Sequence, residues 1–414
     1  MTMKAYLRDR IDWEQPFPPE EFAARRAKVR AAMAEAGLDG LYVVRRADLK
    51  YLVDYDQIWD TPRAFTGLFM RVDSDETLLF DTSVHTTLIS LLPEIKDAVI
   101  FDEFELGGAS DLDTLADTLR ARGLAKGTIG LQYWGYGTHV SVIEALAAKL
   151  ASAGARPVDA SLLVEEIRVV KSPREIAVMR EAAAMADTAL ETVRAEMRPG
   201  MTETRIEGVL MSSLMSQGCN YPAINTMIGS GVRSGTHHSA ATHRKVKAGD
   251  LVHFDFCASL HRYHANLCRT LSVGKADDRW LALMEKSAGC ADRILSEIKL
   301  GDPFTKVNEV GNAYIDEVGL RDRAWWIGGY SFGISFLPDW TGAHWLHWNE
   351  ETFGPTPARR IVEPGVIFNF ENQFDVWDDW PGGTGCAWIE SFLVTEDGIE
   401  IMSKLPRTIR STDD

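Results

Sequence analysis

Three carboxylates stand inside apolar stretches of this sequence, a setting that suits acid/base chemistry. Asp255 interrupts LVHFDFCAS, Glu371 interrupts VIFNFENQF, and Glu390 interrupts CAWIESFLV. A carboxylate buried alone is costly unless it is paired or hydrogen-bonded. One such residue could be a satisfied core side chain, but three in one domain predict convergence on a shared site. Converging carboxylates raise one another's pKa values or recruit a cation, and both outcomes suit acid/base catalysis.

Alternation along two predicted strands extends this polar face. Side chains two residues apart on a strand project to the same side of the sheet. The residues that share a side are His253, Asp255 and Cys257 on the first strand, and His264, Asn266, Cys268 and Thr270 on the next. A polar face directed into a fold indicates that something binds there.

Histidines and aromatic residues supply the other candidate groups. His237 and His238 follow two glycines in a predicted loop, where they are either exposed loop residues or a proton carrier at the mouth of a pocket. Eight of the twelve tryptophans lie between Trp325 and Trp388. Core packing explains some of them, and an aromatic cluster also suits a cationic ligand through cation–π contacts.

Composition limits the classes of function. The 414 residues carry a net charge of -16 with no basic run, so nucleic acid is not expected as a partner. No signal peptide and no membrane-spanning apolar run is visible, and no membrane contact is expected. The five cysteines are scattered and odd in number, which predicts reduced thiols and a cytoplasmic location.

Two domains must position these residues. Alternating helical and strand patterns from 19 to 165 predict an α/β domain without a glycine-rich phosphate loop. Ser172 to Glu175 forms a predicted capping box that opens a long helix. Two helix–glycine turn–helix units, each with its own strands, then predict an internally duplicated α+β domain. The expected domains are therefore 1–165 and 166–414.

These features resemble the creatinase/aminopeptidase P/methionine aminopeptidase superfamily from end to end. The segments that carry the resemblance are EEIRVVKSPREIAVMREAA, EPGVIFNFEN and AWIESFLVTEDGIEIMSKLPR. The resemblance implies a creatinase-like amino-terminal domain followed by a pita-bread catalytic domain with an internal pseudo-two-fold axis. Its metallopeptidase members bind two metals through two aspartates, a histidine and two glutamates. By position, Asp255, Glu371 and Glu390 are kept, whereas Asn266 and Tyr330 replace an aspartate and the histidine. An amide and a phenol are poor ligands for a divalent pair, so no metal and no other cofactor is expected.

Two members of the superfamily, creatinase and ectoine hydrolase, hydrolyse C–N bonds without a metal. The creatinase histidine aligns with His238. Ectoine hydrolase motifs resemble the stretches that contain Tyr263-His264 and run from Gly329 to Trp340. The nucleophilic carboxylate proposed for ectoine hydrolase falls on Asp255, and the acidic residue of creatinase before Arg-Thr falls on Cys268. The resemblance thus implies His238, Asp255, Glu371 and Glu390 as catalytic residues, with Tyr263, His264, Tyr330, Asp339, Trp340 and Arg63 as substrate-binding residues.

The resulting hypothesis is hydrolysis of a non-peptide C–N bond in a small cationic or zwitterionic amidine, guanidino compound or cyclic amide. His238 shuttles a proton to the leaving nitrogen, Asp255 acts as base or nucleophile, and Glu371 and Glu390 hold the cationic nitrogen. The resemblance implies a homodimer in which the amino-terminal domain of one subunit closes the other's site, with Arg63 as a carboxylate anchor. One alternative is a metal-dependent Xaa-Pro peptidase or sulfonium/betaine lyase with one ion on Asp255, Glu371 and Glu390. Another is a non-catalytic binding protein.

Overall fold

The computed structural model describes residues 15–58, 66–101, 109–134, 138–346, 360–375 and 385–414. The chain divides into two compact units, Met1–Arg168 and Val169–Asp414. This division lies three residues after the expected boundary. No helix in the described ranges is both long and apolar enough to cross a bilayer. Arg63 lies outside the described residues.

The first unit is an α/β domain around one mixed sheet. In its described residues the strand order is β4-β3-β2-β1-β5-β6, and the pairs β1–β2 and β2–β3 are antiparallel. The strands are β1 (Gly40–Val43), β2 (Gly67–Arg71), β3 (Thr77–Thr82), β4 (Asp97–Phe101), β5 (Gly127–Leu131) and β6 (Ala155–Asp159). The helices are α1 (Pro19–Glu35), α2 (Arg46–Val53), α3 (Thr86–Leu91), α4 (Ala109–Ala121), α5 (Val140–Ser152) and α6 (Leu163–Arg168).

The second unit repeats one pattern, a helix pair followed by three strands. The first repeat contains α7 (Pro173–Glu196), α8 (Glu203–Ser216), β7 (Met227–Ser230), β8 (Leu251–Leu260) and β9 (Tyr263–Ser272). The second contains α9 (Asp278–Glu297), α10 (Thr305–Glu317), β10 (Ala324–Gly328), β11 (Ile367–Asp375) and β12 (Gly385–Thr395), followed by β13 (Gly398–Ile401) and β14 (Arg410–Ser411). The predicted capping box is present, because Ser172 Oγ accepts from Glu175 N and Ser172 N donates to Glu175 Oε2.

The sheet order makes the duplication visible. The main path is β10-β11-β12-β9-β8-β7, so the two sets of three strands run outward from a central β9–β12 pair. Cys268 and Ile389 lie opposite each other across that pair. Asp255 is on the middle strand of the first set and Glu371 is on the middle strand of the second. The pseudo-two-fold therefore relates these two carboxylates.

The helices cover one face of this sheet and fix which side chains point away from them. Even-numbered residues of β8, such as Phe254, and odd-numbered residues of β9, such as Leu267, pack in the core of the first repeat. Even-numbered residues of β11 and β12, such as Phe370 and Trp388, pack in the core of the second repeat. Side chains alternate along a strand, so the remaining residues point to the face away from the helices. These are the odd-numbered residues of β8, β11 and β12, which include Asp255, and the even-numbered residues of β9.

Candidate active site

The face opposite the helices carries a row of four side chains across the central strands. Asp255 lies opposite Cys268, and Glu371 lies opposite Ile389. Since Cys268 and Ile389 also lie opposite each other, the row is continuous from β8 to β11. Directly opposed residues project to the same side of a sheet, so the two carboxylates end one shared row.

Asp255 is a buried carboxylate with an elevated pKa. Its Oδ1 accepts a hydrogen bond from Asn266 Nδ2 at 2.9 Å. Burial raises the pKa of Asp255 to about 7, and the hydrogen bond from Asn266 opposes that shift only in part. A carboxyl group with this pKa can take up or release a proton near neutral pH, as a general base or acid must.

A chain of two side-chain amides connects Asp255 to Glu371. Asn266 Oδ1 accepts from Asn369 Nδ2 at 3.0 Å, and the same Nδ2 donates to Glu371 Oε1 at 2.7 Å. Asn369 Oδ1 accepts from the backbone N of Tyr330 at 2.8 Å. A backbone N–H can only donate, so this contact fixes which end of the Asn369 amide is oxygen. The orientation of Asn266 follows, and its NH2 group must face Asp255.

Glu371 is held by further neutral donors. Gln373 Nε2 donates to Glu371 Oε2 at 2.8 Å, and the Tyr330 hydroxyl also hydrogen-bonds to this carboxylate. Burial and the charge of Asp255 raise the pKa of Glu371 to about 8, against the effect of these hydrogen bonds. The two carboxylates therefore interact and titrate as a pair, in which protonation of one eases ionisation of the other.

Tyr330 and Trp340 form an aromatic wall beside Glu371. Trp340 Nε1 donates to the Tyr330 hydroxyl at 2.9 Å, and both side chains are buried. Gly329 permits this placement, because a Cβ there would lie 2.0 Å from the Asn369 carbonyl oxygen. Asp339 is partly exposed and accepts from the backbone N and hydroxyl of Thr341, at 2.9 and 2.8 Å. Burial and the charge of Asp255 are the main causes that raise the pKa of the buried Cys257, and Asp339 adds a smaller contribution, which places this acidic group near the same face.

The two loop histidines occupy different environments. His238 is exposed and lies edge-on to Trp325, with ring centroids 5.9 Å apart. Burial is the main reason that the pKa of His253 is low, and a smaller contribution comes from His238, which therefore lies near the polar face. His237 is buried, and its Nε2 is 2.9 Å from Asp375 Oδ1. His238 is thus the more accessible of the two histidines, and its role as a proton carrier stays a prediction.

The expected convergence of Glu390 with the other two carboxylates is wrong. Glu390 lies opposite Phe370 on β11, so its side chain projects toward the helices with Phe370 and Trp388. Arg269 Nη2 donates to Glu390 Oε1 at 2.5 Å, and Arg407 Nη1 lies 3.7 Å from the same atom. Glu390 is thus a buried partner of two arginines. Ile389, one residue earlier, occupies the corresponding place on the site face.

Two expected substrate-binding residues also have other roles. Tyr263 lies on the helix-facing side of β9, where its hydroxyl donates to Glu175 Oε1 at 2.8 Å. His264 is on the site side, but its ring accepts from Ala223 N and contacts the Arg262 carbonyl, both at 2.9 Å. Burial lowers the pKa of His264 to about 4, so the ring is neutral with both nitrogens engaged. His264 therefore anchors the loop at Ala223.

Sequence reasoning missed Asn369 and Gln373. Both lie two residues from Glu371 on β11, so the period-2 rule that grouped the polar residues of β8 and β9 would have found them. Neither carries a charge, and an amide inside an apolar run draws less notice than a carboxylate. They are nevertheless the residues that hold Glu371 in place.

The donor set does not fit a dinuclear metal centre. Asp255 and Glu371 remain, but Asn266 and Tyr330 stand at two of the other ligand positions, and Glu390 projects to the opposite face. Within the described part of the chain, no three His, Cys, Asp or Glu side chains are grouped so that they could hold a metal ion. The alternative of one ion on Asp255, Glu371 and Glu390 is wrong, because Glu390 projects to the other face.

Comparisons with known proteins agree with this architecture. The metallopeptidase family M24 matches residues 177–396, and the creatinase/prolidase N-terminal domain matches residues 25–170. Ectoine hydrolase from Halomonas elongata is 27% identical over 414 residues, covering 95% of this chain and 98% of that protein. An Xaa-Pro dipeptidase from Pyrococcus furiosus is 23% identical over 247 residues, covering 60% of this chain and 66% of that protein.

Solved structures show the same fold at low identity. A prolidase from Thermococcus sibiricus superposes with a TM-score of 0.78 at 17% identity, covering 94% of this chain and 99% of the other. An Xaa-Pro dipeptidase from Bacillus anthracis gives a TM-score of 0.75 at 21% identity, with the same coverage. The predicted fold class and superfamily are confirmed. The chain is a member of metallopeptidase family M24, with a creatinase-type amino-terminal domain and a pita-bread catalytic domain.

Proposed function

We propose that this protein hydrolyses a non-peptide C–N bond in a small zwitterionic nitrogenous compound without a metal ion. The substrate is an amidine, a guanidino compound or a cyclic amide. The observation that supports this most is the amide chain from Asp255 through Asn266 and Asn369 to Glu371. Neutral amides occupy the space between the carboxylates, where metallopeptidases of the family use cations. The similarity to ectoine hydrolase over nearly the whole chain supports the same reading.

The chemistry starts from Asp255. Its ionised form either removes a proton from water or attacks the carbon of the C–N bond. The pKa of about 7 leaves enough ionised Asp255 at neutral pH and keeps the group basic enough to accept that proton. The two outcomes differ in whether Asp255 forms a covalent acyl or imidoyl adduct with the substrate, so the added mass of that adduct in enzyme quenched during single turnover distinguishes them.

The cationic part of the substrate is placed at Glu371. A buried carboxylate with a pKa of about 8 gains most from a neighbouring positive charge, because that charge offsets the penalty of ionisation. Tyr330 and Trp340 offer aromatic surfaces beside it, which suit a delocalised cation. His238 delivers the proton to the leaving nitrogen once the pocket closes around the substrate, since catalytic hydrogen bonds often tighten only in the complex.

The dimer belongs to the same proposal. The amino-terminal domain of one subunit closes the site of the other, and Arg63 supplies a bidentate contact to the carboxylate of the zwitterion. Sedimentation of the purified protein tests for the dimer directly. A monomer at concentrations at which the enzyme is active would end this part of the proposal and leave the chemistry at Asp255 untouched.

A substrate screen tests the proposed reaction. Protein purified without added metal and dialysed against a chelator is mixed with ectoine, creatine, other guanidino acids, betaines and Xaa-Pro dipeptides. Release of ammonia, urea or amine is then measured. We expect turnover of a non-peptide compound by wild type and its loss in Asp255→Asn and His238→Ala. Hydrolysis of only the dipeptides, restored by a transition metal, would contradict the proposal. Turnover that survives His238→Ala would remove that residue from the mechanism.

A further inference from the structure

Two buried histidines that the proposed chemistry does not use lie beside the row of site residues. His253 precedes Asp255 by two residues on β8 and shares its face, and it is 1% exposed. His237 is 4% exposed. Their ring centroids are 5.2 Å apart, with the planes at 76°. Burying two imidazoles in contact is unfavourable unless they have partners, so their surroundings indicate what they do.

Each end of this pair contacts a different kind of group. On the inner side, His253 Nδ1 lies 3.7 Å from the Sγ of Cys268, the residue opposite Asp255 in the row. On the outer side, His237 Nε2 lies 2.9 Å from Asp375 Oδ1. The Asp375 side chain is 22% exposed, so it reaches water. The two imidazoles therefore connect the centre of the site with a carboxylate at the surface.

From Cys268 through His253 and His237 to Asp375, each group can donate a hydrogen bond toward the next one. The Cys268 thiol donates to His253 Nδ1, which places the ring hydrogen of His253 on Nε2. The Asp375 carboxylate can only accept, so His237 carries its hydrogen on Nε2 and presents Nδ1 as an acceptor. Burial holds the pKa of His253 well below its usual value, so its ring is neutral as this order requires.

The middle of the line is a gap between two polar atoms. His253 Nε2 and His237 Nδ1 are both buried without a side-chain partner of normal geometry, although the carbonyl of His237 lies near His253. The two atoms are not hydrogen-bonded to each other, and one water molecule can connect a donor and an acceptor on rings whose centroids are 5.2 Å apart. The Trp325 ring packs 5.0 Å from His237 and shields this region.

We propose that His253 and His237 form a proton path between the site and the surface at Asp375. For release, the Cys268 thiol gives its proton to His253 Nδ1. His253 gives the proton on its Nε2 to a bridging water molecule, and that water gives one of its own protons to His237 Nδ1. His237 then gives its Nε2 proton to the Asp375 carboxylate, and Cys268 is reprotonated from the acid formed at Asp255. One proton leaves the site, both imidazoles change tautomer, and neither remains charged.

Hydrogen–deuterium exchange of the Cys268 thiol tests this path without a substrate. The S–H stretching band lies in a clear region of the infrared spectrum of proteins, and its loss in deuterium oxide reports exchange. The Cys268 band is assigned by difference with Cys268→Ser. Cys290, whose thiol is buried in the core against the Gly311 carbonyl, is the internal control for general opening of the protein.

The path predicts that the Cys268 thiol exchanges at least about tenfold faster than the Cys290 thiol in wild type. His237→Gln and Asp375→Asn should slow Cys268 to a rate near that of Cys290, because an amide cannot relay a proton by changing tautomer. Asp375 is partly exposed, so its variant tests the path even if His237→Gln fails to fold. His238→Gln is the matched neighbour and should leave the rate unchanged. Unchanged exchange at Cys268 in both test variants, or equal changes at Cys268 and Cys290, would overturn the proposal.

Because the measurement needs no turnover, its result is separate from that of the substrate screen. A slowed thiol with no C–N hydrolysis would leave the path in place and remove the proposed reaction. C–N hydrolysis with unchanged exchange of the Cys268 thiol would support the proposed reaction and remove the proton path.

Discussion

Restoring the family's missing aspartate by Asn266→Asp should destabilise the protein in a pH-dependent way. The substitution removes the N–H that Asp255 accepts and places a second carboxylate in its position, 2.9 Å from Asp255 Oδ1. At an effective dielectric constant of about 20, two unit charges at that separation repel by about 6 kcal/mol. The folded variant should therefore retain a proton shared between the two groups well above neutral pH.

The sign of the pH dependence follows from that retained proton. Folded wild type already holds a proton on Asp255 below its pKa of about 7, so the folded variant binds one proton more than wild type only above that pH. Its stability relative to wild type therefore falls as pH rises above about 7. Each pH unit accounts for about 1.4 kcal/mol, so the variant should lose about 3 kcal/mol relative to wild type between pH 5 and pH 9, almost all of it above pH 7. The free energy of unfolding from urea titrations at both pH values measures this loss.

Asn266→Ala is the matched control for this experiment. It removes the same amide without adding charge. Because the lost hydrogen bond favours ionised Asp255, the loss of stability in this control should grow from pH 5 to pH 9, but by less than that of Asn266→Asp. If Asn266→Asp were as stable as wild type at pH 9, the hydrogen bond from Asn266 to Asp255 would not exist as described. A loss of equal size in both variants would show that charge plays no part.

The other predictions concern the partners of Asp255 and Glu371. Both carboxylates have pKa values above their unfolded values of about 4, so their contribution to stability is lost as pH rises through about 7 and 8. Glu371→Gln removes one of them, and thermal melts should show it gaining on wild type from pH 6 to pH 9, by at most about 3 kcal/mol. In this variant the unpaired Gln373 oxygen can accept from the new NH2 group at position 371. A difference in stability between variant and wild type that does not change across this pH range would contradict the high pKa of Glu371. For the substrate found in the screen, kcat/KM should rise with pH through about 7 as Asp255 ionises, and a pH-independent rate from pH 6 to 8 would exclude it as the base. Gly329→Ala should cost about 3 kcal/mol in urea titrations, because its Cβ meets the Asn369 carbonyl, and a near-neutral effect would show that the two strands are not so close. Mixed dimers of Arg63→Ala and Asp255→Asn should regain part of the activity that each variant lacks, whereas no recovery would place both residues in one subunit's site.

The sequence was sufficient for the fold and for two of the three carboxylates. Ser172 and Glu175 gave the helix start, and the repeated helix pair gave the duplicated domain. Asp255 and Glu371 were found because a charge inside an apolar run needs an explanation. A charge inside an apolar run also led to the wrong placement of Glu390. A strand that is buried on both faces has no alternation of polar and apolar residues, so its sequence does not show which side chains face the site. Neighbouring residues on a strand point to opposite faces of the sheet, so a shift of one residue changes the face of a side chain. Glu390 and Ile389 differ by one residue, and it is Ile389 that lies on the site face.

The amide chain could not be predicted because it depends on distances between strands that are far apart in sequence. Asn266 and Asn369 are 103 residues apart and meet only through the sheet register. Tyr263 and His264 show the opposite error. A motif shared with relatives was taken as contact with substrate, whereas these side chains hold Glu175 and the loop at Ala223.

The central claim is that side-chain amides hold Asp255 and Glu371 where relatives use metal ions. Anomalous diffraction from crystals soaked in manganese or zinc tests it most directly. The account predicts no anomalous peak between these two carboxylates and an electron density that keeps Asn266 and Asn369 hydrogen-bonded between them. A strong peak coordinated by both carboxylates, with the amides displaced, would contradict it.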